Sequence, residues 1–101
     1  MNSRCDEIYR SVIELDTRSR TNLFDLAQCF IDGFELDNLR RMLESEDLGV
    51  VSDGLFVLGE IGSLARGFAS EIRLLTQCSD DEIRRSATKL ASMYGIELGE
   101  T

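Results

Sequence analysis

Apolar and polar positions recur with a helical period along most of the chain, and the clearest stretch lies at its centre. Counting from Val50, apolar or small residues fall at Val50, Gly54, Val57, Leu58 and Ile61. That spacing marks the buried face of one amphipathic helix. The same stripe returns 33 residues later as Ile83, Ala87, Leu90, Ala91 and Tyr94. The offset also carries Asp47 onto Asp80 and Gly62 onto Gly95, an acidic start and a glycine stop for each copy. A fixed offset of this length predicts stacked helical hairpins.

The remaining periodic stretches bring the expected total to six helices. Cys5 to Leu15 gives a stripe of Cys5, Ile8, Tyr9, Val12, Ile13 and Leu15. The second helix follows a polar break at 16–20, with Ser19 or Thr21 as its cap. Its inward face is Leu23, Leu26, Ala27, Phe30, Ile31 and Phe34, with Phe24 off the stripe and Gly33 as the stop. Glu35 to Ser45 is the third helix, with Leu36, Leu39, Met42 and Leu43 inward. Arg40 and Arg41 point outward, and Glu44 stands four residues after Arg40, where it can form a weak surface pair. Asp47 caps the fourth helix, which ends at Gly62. After a connection at 63–67, Phe68 to Cys78 is the fifth, with Phe68, Ile72, Leu74, Leu75 and Cys78 available for burial. Ser79 and Glu82 have the spacing of a capping box for the sixth. The expected architecture is a single all-α domain over residues 1–101. It has hairpins at 5–33, 35–62 and 68–95 and an acidic tail at 96–101.

These stretches resemble HEAT-type repeats. The second helix of such a unit reads approximately D-x-x-V-R-x-A-A-x-x-A-L-G-x-I-G. Asp47, Val50, Gly54, Val57, Leu58, Gly59, Ile61 and Gly62 match it, as do Asp80, Ile83, Arg84, Ala87, Leu90, Ala91, Tyr94 and Gly95. A weaker unit at 5–33 is out of register by two residues. Two departures stand out: Val51 replaces the usual arginine, and Asp53 sits where a small residue is usual. The resemblance implies a short α-solenoid whose second helices line a concave, protein-binding face.

Charge sharpens that expectation. The chain carries 11 Lys and Arg against 19 Asp and Glu, a net charge of −8. Residues 25–60 hold nine carboxylates and two arginines, a net −7. Such a surface repels nucleic acid and steers basic partners inward. On the predicted groove lie Asp25, Asp32, Ser52, Asp53, Phe56 and Glu60, the candidate partner-binding residues. Thr21 and Gln28 lie beside them, and Arg85, Lys89, Ser92 and Met93 give a basic end. Phe56 reads either as an apolar anchor among carboxylates or as a residue packed on the adjacent hairpin.

Other chemistry has little support. The chain has no histidine, HExxH, GxSxG or glycine-rich phosphate loop. No catalytic, cofactor-binding or metal-binding residue is assigned, and an enzyme is not expected. Cys5, Cys29 and Cys78 form an odd set without ligand spacing, and Cys29 and Cys78 read as small core residues. Met1 precedes a polar run and no apolar stretch approaches a membrane span, so the expected location is cytoplasmic. In size, acidity and scaffold the chain resembles the immunity proteins of bacterial polymorphic toxin systems, contact-dependent growth inhibition among them. That likeness implies an inhibitor, monomeric when free, that covers a basic toxin domain, typically a nuclease. The rival expectation is a HEAT-like adaptor or scaffold, homo-oligomeric through Phe24 and Phe56. Light scattering separates the two.

Overall fold

The 33-residue echo survives in the folded chain down to its caps. A computed structural model describes residues 3–13 and 20–97. Among these, six α-helices occur and no strand: α1 (Ser3–Ile13), α2 (Arg20–Ile31), α3 (Leu36–Leu43), α4 (Leu48–Glu60), α5 (Ala69–Leu75) and α6 (Asp81–Met93). The connection expected at 63–67 is a 3₁₀ segment, Gly62–Phe68, leading directly into α5.

Asp47 caps α4, its Oδ1 accepting from the Gly49 amide at 2.9 Å. Asp80 caps α6 in the same way, accepting from the Ile83 amide at 3.0 Å. The cap of α6 is therefore Asp80 and not the expected Ser79–Glu82 box. The carboxylate nearer the first turn reaches the orphan amide by itself. Both copies close on a left-handed glycine, Gly62 and Gly95, each with φ of 66°. After Gly95, the Ile96 amide donates to the Ala91 carbonyl at 2.8 Å and closes a Schellman turn.

α4 is the hub. It packs against α2, α3 and α6, while α1 lies on α2 and α5 on α6. The whole predicted stripe of α4 is buried, and so are Val51 and Leu55 beside it. A helix enclosed on three sides needs apolar residues over more than one stripe. Close approach to α3 explains Gly54: a Cβ there would lie 3.1 Å from Leu43 Cδ2 and 3.2 Å from Met42 Cβ.

Several expectations change. Ile31, on the expected inward face of α2, and Leu74, expected to be available for burial, are 47% and 75% exposed. Both stand at helix C-terminal turns, where the chain leaves the packed layer. Arg40 does not point freely outward or pair with Glu44. Its Nε donates to Glu71 at 2.9 Å, one terminal nitrogen donates to Asp37 at 2.9 Å, and the guanidinium lies 4.9 Å from the Phe68 ring centre. Glu71 thus ties α3 to α5 and holds the Arg40 pKa above its ordinary value.

Cys29 is buried as expected but is not a free thiol. It bonds to Cys5, with the Cα atoms 5.8 Å apart across the α1–α2 contact. Sequence spacing carries no sign of this, because two helices must first cross at these positions. Cys78 is free and half-buried. Leu15 and the proposed Ser19 cap lie outside the described residues, as do the Thr21 side chain and the tail beyond Glu97.

Candidate protein-binding face

The outward side of α4 is built by exclusion. Val50, Val51, Gly54, Leu55, Val57 and Leu58 are taken up by neighbouring helices. Apart from Leu48, Gly49 and Gly59, what remains is Ser52, Asp53, Phe56 and Glu60. The first three are half-buried and Glu60 is exposed. These four predicted site residues therefore share one face of one helix.

Phe56 meets its neighbour across the α2–α4 contact. The rings of Phe24 and Phe56 lie edge to face, centres 5.3 Å apart at 69°. Phe24 stays 47% exposed. Phe56 thus does both things its sequence allowed: it packs on the adjacent hairpin and contributes to a surface aromatic pair. Phe24 was absent from the predicted site. Its one sequence signal was an aromatic residue standing off the buried stripe of α2.

The two carboxylates of α2 part company. Asp32 is exposed and accepts from Gln28 Nε2 at 3.1 Å. Asp25 turns towards α1, where Arg4 lies 3.7 Å away in an exposed ion pair. Phe24 faces α4 and Asp25 faces α1, so Asp25 sits at the outer edge of this surface and not in its centre.

Towards the start of α4, Ser52 and Asp53 line a hollow of about 250 Å³ with Leu48, Gly49, Asp80, Glu82 and Ile83. It lies between the first turns of α4 and α6. The hollow is acidic, but Asp80 is engaged in capping, and two helix N-termini oppose a bound cation. Asp53 is the repeat's departure from a small residue, and its half-buried position here gives that departure a place.

The basic end lies elsewhere. Arg85 and Lys89 line a separate open hollow of about 520 Å³ with Thr76, Arg84 and Thr88, on the α5 side of α6. Arg84 is held there, donating to the Cys78 carbonyl at 2.9 Å and pairing with Asp81. Ser92 and Met93 are exposed farther along α6. The basic hollow and the acidic one share no lining residue.

Ser86 and Lys89 on α6 stand at the spacing of a serine nucleophile with a lysine base. Lys89 is exposed and lines the second hollow, whereas Ser86 is half-buried and lines neither. Among the described residues no group of three or more His, Cys, Asp or Glu converges as a metal site. No described helix is long and apolar enough to cross a membrane. No family model, curated protein or solved structure matches the chain.

Proposed function

We propose that this chain is a protein-binding module whose α2–α4 face takes up a basic protein. The carrying observation is the Phe24–Phe56 pair, partly open to solvent between two helices that supply carboxylates. From Thr21 to Asn38 and from Met42 to Ala65 the sequence has no Lys or Arg. An aromatic anchor with a charged surround is the usual build of a binding hot spot. The net negative charge of that surround gives a fast, salt-sensitive association with a cationic partner.

The particular reading is an acidic inhibitor of the immunity type that neutralises a basic toxin domain, typically a nuclease. Its scaffold is a HEAT-like stack. The packing of α2 on α4 and of α4 on α6 supports that stack, as does the position of α1, α3 and α5 beside their following helices. A cytoplasmic setting belongs to this reading, and it would expose the Cys5–Cys29 bond to a reducing thiol pool.

The test reverses charge where the fold tolerates it. Asp32 and Glu60 are exposed, whereas Asp53 is half-buried. The double variant Asp32→Lys/Glu60→Lys should keep wild-type helicity and melting. Its association with the partner recovered from the native host should slow about tenfold or more at low salt. An unchanged on-rate would sink the acidic-face proposal. The second reading, a homo-oligomeric adaptor, draws on the exposed Phe24, Leu74 and Met93. Light scattering over a concentration series that returns a stable dimer, abolished by Phe24→Ala, would favour it over the inhibitor.

A further inference from the structure

We infer that the Cys5–Cys29 bond is a thiol-sensitive latch: cutting it releases α1, while the body formed by α2 to α6 stays folded. The inference is independent of what the α2–α4 face binds. It rests on how unequally α1 is anchored along its length.

In the first turn of α1, Arg4, Asp6 and Glu7 are exposed and Cys5 is the buried residue, at 3% exposure. The Arg4–Asp25 pair beside it is open to water, where such pairs contribute little. In the second half, Val12 is fully buried and Tyr9 donates its hydroxyl to the Asn38 carbonyl at 3.1 Å. The Tyr9 ring also meets Phe34 edge-on at 6.0 Å. Val12 is the one fully buried residue that α1 gives to the core cluster, with Ile8, Tyr9 and Ile13 half-buried against it; the other buried members lie between Leu23 and Ala91. Most of the buried cluster therefore belongs to the body formed by α2 to α6. A helix of 11 residues does not sustain itself in water once undocked. The covalent bond supplies the anchor that the polar first turn lacks.

A dithiol serves as the reductant. Its thiolate attacks the Cys5 sulfur, which fraying of the first turn brings within reach, and Cys29 leaves as a thiolate and takes up a proton. The second thiol of the reagent then displaces Cys5, which is protonated in turn. Two electrons pass to the protein, leaving two thiols, and the dithiol becomes a disulfide. Release of α1 also frees Asp25 from Arg4 and uncovers the side of α2 that carries Cys29. The redox state thus reaches the helix that forms one wall of the acidic face.

Dithiothreitol titration of the intact chain tests this. Alkylation and mass measurement should find alkylatable thiols rising from Cys78 alone to all three cysteines. In parallel, amide hydrogen exchange across Ser3–Ile13 should quicken at least about tenfold, with α4 and α6 unchanged. Cys5→Ser/Cys29→Ser should show the same pattern without reductant and ignore dithiothreitol. Three outcomes would overturn the latch. One is a bond that resists millimolar dithiothreitol under native conditions. Another is unchanged exchange in α1 after cleavage. The third is equal loss of protection in α4 and α6, or a double variant that fails to fold, either of which would make the bond a staple for the whole domain.

Discussion

α4 and α6 are two copies of one pattern, and they differ most where their surroundings differ. Val50, Gly54, Val57, Leu58 and Ile61 map onto Ile83, Ala87, Leu90, Ala91 and Tyr94, and both sets point inward. The positions beside the stripe diverge. Val51 and Leu55 are 2% and 3% exposed, whereas their counterparts 33 residues on are Arg84, half-buried, and Thr88, exposed. The same wheel positions are covered in α4 and open in α6, and the residue types follow. A stripe is thus common to both helices, while the flank records whether a neighbour lies alongside.

The largest break in this pairing comes from the covered flank. Leu55→Ala should cost about 3 kcal/mol in urea unfolding, since it empties a buried site. Thr88→Ala at the matching position should stay within about 0.5 kcal/mol. Equal costs would mean that α4 and α6 are equally enclosed. Glycines give the next effect. Gly54→Ala gains about 1 kcal/mol of helix propensity but pushes a methyl group against the Met42 Cβ and the Leu43 side chain, typically worth 1–3 kcal/mol, roughly 1 kcal/mol of net loss. At Gly59 an added Cβ finds only Leu90 Cδ2, at an ordinary 3.6 Å. Gly59→Ala should therefore raise the thermal midpoint while Gly54→Ala lowers it.

The smallest effect joins the two copies. Tyr94 donates its hydroxyl to the Leu58 carbonyl at 2.7 Å, bridging the end of α6 to α4. Burial raises its pKa above the ordinary value. The stability tied to the neutral phenol is fully present below about pH 10 and is lost as pH rises through the raised value. Tyr9 is also raised, chiefly by burial, and adds to the same alkaline loss. Tyr94→Phe should cost about 1 kcal/mol at pH 7 and flatten part of the alkaline decline. Urea midpoints between pH 7 and 11 would measure both; an unchanged decline would remove Tyr94 from it.

The candidate face was legible to different depths. Ser52, Asp53, Phe56 and Glu60 were readable together because a helix leaves only the side opposite its buried stripe to solvent. The contact of Phe24 with Phe56 was not, since it depends on how α2 crosses α4. The parting of Asp25 from Asp32 follows from the position of α1. Arg40 read as a surface charge because nothing local announces Glu71, 31 residues away.

By itself the sequence determined helix number and type, the cap at Asp47, the stops at Gly62 and Gly95, and the inward stripes of α4 and α6. Those features are set within a few residues by hydrogen-bonding geometry and the 3.6-residue period. The tertiary structure alone decided that α4 is enclosed on three sides and that Cys5 meets Cys29. It also decided that Phe24 joins Phe56, and that Ile31 and Leu74 stay exposed. Each of these depends on distance between residues far apart in the chain, and a pattern repeating along one helix carries no information about which neighbour will cover it.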